Sequence, residues 1–393
     1  MEKEKIVSRV LEASSEWIKR IEKMEKKRFV YQNLLKVVKE KEYFLGITGL
    51  RGIGKTVLLL QLSKEINGIY FSADDRELRG TDLYDIIKAL SEAGHKKIFV
   101  DEIHAKAKWD SDLKTVFDEK LASIVFSGSS AIQLKNLKAD LSRRVVIEHL
   151  KPAGFREWLE IKKGIEVPKL TLKEILKKKA EIAREFGYLN KYLEEYYSTG
   201  GVLFEAKTYF YKTITSTIET ISSKDLPTAK GIGKDTEENF FKLLQVIATS
   251  KPLELSYSKI GEIIGKNKVW VMRFLYNVEK TEAIKKVYSC GASTKKHRKE
   301  AKYYLPFPFR HSLCTSLGKQ PEIGSLREEF FVNHTDCCYF KSRSSPTPDF
   351  RFEGMIFEVG GKNKKSRQGA QIIVTDSLDT SSNKIPLFTI GLL

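Results

Sequence analysis

The sequence predicts an α/β protein: a parallel-sheet domain with a helical arm, then a three-helix and hairpin segment, then a small α+β domain. Three observations carry this. Short apolar runs alternate with helical stretches from residue 43 to residue 149, a glycine-rich loop joins the first run to the helix after it, and beyond residue 150 the rhythm changes twice. A chain of 393 residues has room for two to three domains, each burying its own core.

In chain order, Val7, Val10, Ser14, Trp17, Ile18 and Ile21 recur at three-to-four spacing among Lys and Glu, which predicts an amphipathic helix packed on the sheet domain. Strands are expected at Tyr43–Thr48, Ile69–Ser72, Lys97–Asp101, Ser123–Ser127 and Val145–His149. Strands alternating with helices imply crossover connections and a parallel sheet covered on both faces. Residues 150–225 become helical and are punctuated by Gly200, Gly201 and Pro227, the pattern of a helical lid or arm. Helices at Glu237–Thr249, Tyr257–Ile264 and Lys268–Thr281, with strands near Ala283–Tyr288 and Ala301–Leu305, outline a winged helix-turn-helix. A helix at Gly324–His334 then precedes a loop at Ser342–Pro348 and strands at Phe350–Phe352, Met355–Val359, Gln371–Thr375 and Ile385–Leu393. The expected boundaries are 1–150, 151–230, 231–315 and 316–393.

Lys plus Arg number 69 against 51 Asp plus Glu, a formal charge of +18 with a pI near 9.4. An excess of that size favours a polyanionic partner, most simply nucleic acid or an anionic membrane face. No apolar run approaches the roughly 20 residues that span a bilayer, and Met1–Lys5 has no apolar stretch to act as a signal peptide. The four cysteines, Cys290, Cys314, Cys337 and Cys338, fit neither a disulfide framework nor a zinc spacing. Reduced thiols, a cytoplasmic location and no membrane partner are therefore expected.

Gly49-Leu50-Arg51-Gly52-Ile53-Gly54-Lys55-Thr56 is an eight-residue phosphate loop. Its glycines let backbone N–H groups from Gly49 through Val57 turn toward phosphate oxygens. Lys55 supplies a cation near the β- and γ-phosphates, and the Thr56 hydroxyl is a magnesium ligand. The following helix points its positive end at the same anion. ATP and magnesium are thus the expected cofactors. Ile98-Phe99-Val100-Asp101-Glu102 delivers two acids to a strand end, with Asp101 expected to hold magnesium and Glu102 to direct the attacking water. Ser127 and Ser129 end another apolar strand, where a hydroxyl can bond the γ-phosphate or the water. Arg143 and Arg144 precede the strand at Val145, and arginine beside a γ-phosphate stabilises the charge that develops in transfer, in its own subunit or in a neighbour of a homo-oligomer.

The order of phosphate loop, extra strand, Asp-Glu pair, polar strand end and arginine pair resembles the additional-strand branch of P-loop ATPases, which includes the AAA superfamily. Gly49–Thr56, Phe126–Ala131, Asp140–Arg144 with Gly154–Trp158, Gly324–Phe331, Phe357–Lys364 and Lys384–Leu387 are similar to one group of archaeal and bacterial AAA-type ATPases. The likeness runs over nearly the whole chain and is weakest at 160–225 and in the hairpin. It implies an ATPase module, a winged helix and a C-terminal domain similar to the PD-(D/E)XK nuclease fold. There Glu328, Asp349 and Glu358 match the acidic positions that hold metal, whereas Gly360 stands where that fold has its lysine and the next lysine is Lys362.

From Lys280 to Arg310 there are nine Lys or Arg against two acids, and Lys295, Lys296, Arg298 and Lys299 fall at the expected hairpin tip. Such a tip suits a phosphate backbone while the helix bearing Lys268, Trp270 and Arg273 enters a groove. The sequence thus predicts an ATPase that uses its nucleotide cycle to drive or switch contact with DNA. An ATP-dependent metal nuclease and a protein-assembly switch without DNA contact are the alternatives.

Overall fold

The computed structural model describes residues 2–40, 42–128, 141, 143–205, 208–226, 236–251, 256–291, 301–340, 347–364 and 369–393. They divide into two units, Met1–Lys151 and Pro152–Leu393.

In the first unit, helices α1 (Lys3–Arg20) and α2 (Tyr31–Glu40) precede β1 (Phe44–Thr48), α3 (Lys55–Glu65), β2 (Ile69–Ser72), α4 (Leu83–Glu92), β3 (Lys97–Asp101), α5 (Trp109–Asp118), β4 (Ser123–Gly128) and β5 (Val145–His149). The strands form one parallel sheet in the order β2-β3-β4-β1-β5. β1 is buried along its whole length, as a near-continuous apolar run in a central parallel strand must be. The β2 edge is covered by α1: Ile6 and Val10 enter the core with Phe71, and the Tyr70 amide donates to Ser14 Oγ at 3.0 Å. An exposed row of strand amides is thereby blunted. The mixed α/β class and the parallel sheet are those the sequence predicts.

β4 lies between β1 and β3, although it follows both in sequence. In this register Ile47 stands beside Ser127 and Val100 beside Phe126. The carboxyl ends of β1, β4 and β3 therefore line up, which is where ligands of parallel sheets bind.

The second unit begins with α6 (Phe155–Trp158), α7 (Leu172–Lys177), α8 (Lys179–Phe186), α9 (Leu193–Thr199) and α10 (Phe210–Thr220). Phe155, Trp158 and Tyr196 share one buried cluster with Phe330, Phe331, Phe357 and Ile390, so 153–197 forms a helical layer of the C-terminal core. Next come α11 (Thr236–Thr249), α12 (Tyr257–Ile264), α13 (Lys268–Lys280) and the antiparallel pair β6 (Lys285–Val287) and β7 (Lys302–Tyr304). Ser256 and Asn267 start α12 and α13 by accepting the Lys259 and Trp270 amides. α14 (Phe309–Ser316) and α15 (Ile323–His334) lead to the sheet β12-β11-β10-β9-β8, made of β8 (Cys338–Tyr339), β9 (Phe350–Phe352), β10 (Met355–Gly360), β11 (Ile372–Thr375) and β12 (Lys384–Pro386).

Two expectations are corrected here. The strand expected over Ile385–Leu393 ends at Pro386 and becomes a 3₁₀ turn at Leu387–Leu392, because an unbroken apolar run does not distinguish a buried strand from a buried turn. The thiols are not all reduced: Cys290 and Cys338 form a disulfide with Cα atoms 5.0 Å apart, while Cys314 and Cys337 are free. The chain around Cys290 runs alongside β8, with the Cys290 amide donating to Tyr339 O and the Tyr339 amide to Tyr288 O, so a spacing of 48 residues becomes a contact.

Candidate nucleotide site

The loop between β1 and α3 owes its shape to glycine. At Gly49, φ is +147° and a Cβ would lie 2.4 Å from Leu150 O, and Gly54, at φ +94°, caps α3 in the left-handed region. Lys55 is buried, and its ammonium donates at 2.8 Å to both Gly49 O and Leu50 O, which holds the charge inside the loop's curve. Arg28 props the loop from behind: its guanidinium, 7% exposed, donates to Ile53 O and Lys151 O at 2.7 Å each.

Asp101 is the hub. Thr56 Oγ1 donates to Asp101 Oδ2 at 2.6 Å, and Tyr70 donates its hydroxyl to the same oxygen at 3.0 Å. Asp101 Oδ1 accepts from Ser127 Oγ and, at 3.1 Å, from the Glu102 amide. Burial and the neighbouring Asp101 charge push the Tyr70 phenol far above its ordinary range, so it stays a donor. Glu102 itself sits at φ +48°, and its carboxylate lies 3.7 Å from the Arg51 guanidinium and 3.4 Å from His104 Nε2. A non-glycine residue held in that region by its surroundings is common where function constrains the backbone.

The donor set suits magnesium. Thr56 and Asp101 offer hard oxygens, which this cation prefers, at a point flanked by the phosphate loop. Gly49, Gly52, Ile53, Gly54, Lys55, Thr56, Val57, Asp101, Glu102 and Ser127 all fall in this one neighbourhood, at the loop or at the adjoining strand ends. Ser129, Lys295, Lys296, Arg298 and Lys299 lie outside the described residues. The sequence reading missed Arg28 and Tyr70, since neither belongs to a local motif and only the fold brings them to the loop and to Asp101.

Arg143 and Arg144 stand elsewhere. Arg144 O accepts from the Phe44 amide at the amino end of β1, whereas the phosphate loop begins five residues later at the opposite end. At ~3.3 Å per residue the separation is roughly 16 Å, so neither arginine reaches the loop of its own chain. Arg144 is bound to Asp118 through Nε at 2.8 Å and through a second nitrogen at 3.2 Å, while Arg143 is exposed.

In the second unit, Asp349 and Glu358 are buried, and Lys364 Nζ lies 2.9 Å from Glu358 and 3.7 Å from Asp349. Lys364 rather than Lys362 reaches the acids. A Cβ at Gly360 would strike the Lys364 side chain at 2.4 Å, so the small residue at 360 is what admits it. Glu328 accepts from the Tyr304 hydroxyl at 2.8 Å, and burial raises its carboxyl above the usual range. Among the described residues no three His, Cys, Asp or Glu side chains form a metal-holding group. A lysine ammonium faces both acids. Among the described residues, no helix is long and apolar enough to cross a membrane.

Residues 41–159 match the model of the AAA domain. The uncharacterized protein MJ1637 of Methanocaldococcus jannaschii is 31% identical over 337 residues, covering 78% of this chain and 71% of the relative. MJ1544 of the same organism is 29% identical over 39% of this chain and 34% of its own length. Among solved structures, the Thermotoga maritima RuvB Holliday junction branch migration motor aligns at 14% identity with a TM-score of 0.29, covering 65% of this chain and 88% of that one. AMPPCP-bound DnaA from Aquifex aeolicus aligns at 14% identity with a TM-score of 0.27, over 64% and 86%.

Proposed function

Since the chain belongs to the family of M. jannaschii MJ1637 and is an AAA-type P-loop ATPase, we propose that it binds magnesium–ATP on residues 49–57, hydrolyses it, and uses the cycle to drive or switch contact with DNA. The observation that carries the first part is the hydrogen-bonded array of Thr56, Asp101 and Ser127 beside Glu102. Backbone amides of Gly49 to Val57 cradle the phosphates, and Lys55 neutralises the β- and γ-phosphate oxygens. Thr56 and Asp101 hold magnesium, which when bound supplies charge neutralisation for the phosphoryl oxygens. Glu102, steadied by Arg51 and His104, orients and polarises the attacking water. Ser127 fixes the plane of the Asp101 carboxylate.

Within the second unit we read 151–230 as a helical arm whose 153–197 part is packed on the C-terminal core, 231–315 as a winged helix-turn-helix and 316–393 as a nuclease-like fold. Support for DNA comes from the +18 charge and from α13, whose exposed side carries Lys268 and Arg273 beside Val269, Met272 and Tyr276. A face with so few amides suits backbone and shape contact rather than base readout. The test is duplex binding across a salt series with ATP and magnesium. Replacing Lys295, Lys296, Arg298 and Lys299 by Ala should lower the salt slope by up to about 0.9 per lost phosphate contact. An unchanged affinity and slope would take the hairpin out of the DNA contact, whereas no duplex binding by the wild type would remove DNA from the reading and leave a nucleotide-controlled protein switch.

Lys364 favours a second reading, hydrolysis of nucleic acid in the C-terminal sheet, because it brings a lysine to the acid pair despite Gly360. Cleavage by the wild type that disappears in both Asp349→Ala and Lys364→Ala supports it. No cleavage under any divalent cation leaves the fold as a binding domain.

A further inference from the structure

We propose that Tyr70 is a positioning residue for the magnesium site, through which helix α1 sets the orientation of Asp101. This rests on the reading of Asp101 as the acid that holds magnesium. The Asp101 carboxylate is 4% exposed and receives donors on both oxygens, and three of them come from the site's own strands and loop: Thr56, Ser127 and the Glu102 amide. The fourth, Tyr70, enters from the edge strand β2, and its hydroxyl, buried with the ring, lies 3.0 Å from Asp101 Oδ2.

What holds Tyr70 is α1. Ser14 Oγ accepts the Tyr70 amide at 3.0 Å, and the Trp17 ring packs edge-on against the Tyr70 ring with centroids 5.9 Å apart. The Arg20 guanidinium lies 4.5 Å above the Trp17 ring and covers it from the solvent side. A movement of α1 thus changes where the phenol sits, and the phenol shares Oδ2 with Thr56. Thr56 needs its hydroxyl proton on that oxygen if its lone pair is to face the cation. A second donor on Oδ2 lowers that oxygen's charge and fixes its direction, so the Thr56–Asp101 pair is presented to magnesium in one geometry. Partners of this kind, one shell out from the metal, typically change metal affinity or activity by about 10–100-fold when removed.

The experiment measures affinity for a fluorescent ATP analogue in EDTA and then across a magnesium titration, with a thermal melt of each variant. Tyr70→Phe keeps the ring and loses only the hydroxyl. Its affinity in EDTA should match the wild type, its magnesium midpoint should rise about tenfold, and hydrolysis should recover as magnesium is raised. Trp17→Leu leaves the hydroxyl but loosens its support, and should shift the midpoint in the same direction by less; it carries the test if Tyr70→Phe fails to fold. A Tyr70→Phe midpoint unchanged with an intact melt overturns the proposal. A wild type whose nucleotide affinity ignores magnesium overturns the reading of Asp101 itself, and is told apart because no midpoint then exists.

Discussion

Thr56 Oγ1 and Asp101 Oδ2 meet at 2.6 Å across 45 residues of sequence, joining the start of α3 to the end of β3. Through this bond the phosphate loop and the acid pair act as one structure. Glu102 follows Asp101 with its backbone in the left-handed region and its carboxylate between Arg51 and His104. Glu102→Gln should therefore bind ATP with little loss while turnover falls about 10²–10⁴-fold, because the amide still bonds water but is a far weaker base. Lys55→Ala should weaken binding itself. Nucleotide titration alongside phosphate release separates the two, and wild-type turnover in Glu102→Gln would remove this acid from the mechanism.

Arg28 is the residue on which the loop leans. Its guanidinium bonds to Ile53 O and Lys151 O are both charge-assisted and nearly out of solvent. Arg28→Met should cost the first unit about 2–3 kcal/mol and weaken ATP affinity, since two carbonyls lose their donor. A melt and a nucleotide titration indistinguishable from wild type would show that the loop stands without it.

The arginine pair calls for a mixing experiment. With both residues at the amino end of β5, an effect on phosphoryl transfer requires a second chain, and exposed Arg143 is better placed than Arg144, which Asp118 engages. Arg143→Ala should lower turnover, on the order of 10³-fold for a full arginine-finger role. Mixing it with Lys55→Ala should restore part of the activity, because one composite interface then carries both intact groups. Specific activity independent of protein concentration, with no rescue on mixing, would exclude this.

His334 makes the second unit sensitive to acid. Its Nε2 accepts the Phe155 amide at 2.8 Å, so the proton sits on Nδ1, which bonds Phe330 O at 2.7 Å. Burial pushes its pKa down to about 4. The unfolded imidazole titrates near 6.5, so stability from this group is complete above that pH and is lost as pH falls toward 4, on the order of 2 kcal/mol. Urea unfolding at pH 7 and pH 5 should show the drop, and His334→Gln should shrink it.

The Cys290–Cys338 disulfide closes a loop of 48 residues, for which the chain-entropy model gives up to about 4 kcal/mol. Reduction, or Cys290→Ser, should lower the unfolding free energy of the second unit by an amount within that limit. Non-reducing peptide mapping reads the pairing directly; alkylation of both cysteines in native protein without reductant would contradict it.

The five strands of the first unit, the phosphate loop and the Asp-Glu pair were legible because each is a local pattern. Parallel strands buried on both faces read as apolar runs, and a loop that must wrap phosphate needs its glycines at set positions. The helices at 257–264 and 268–280 were legible for a similar reason, with their Ser and Asn caps in the sequence.

What local pattern does not carry is which distant segments become neighbours. The insertion of β4 between β1 and β3 brings Ser127 to Asp101, and β2 at the sheet edge turns Tyr70 toward the same carboxylate. The placement of Arg143 and Arg144 away from their own phosphate loop, the approach of Lys364 to Glu358 past Gly360, and the pairing of Cys290 with Cys338 arose in the same way. Each depends on strand order and on packing between residues tens of positions apart or on space left by a missing side chain. A one-dimensional period of 2 or 3.6 residues holds no information about either.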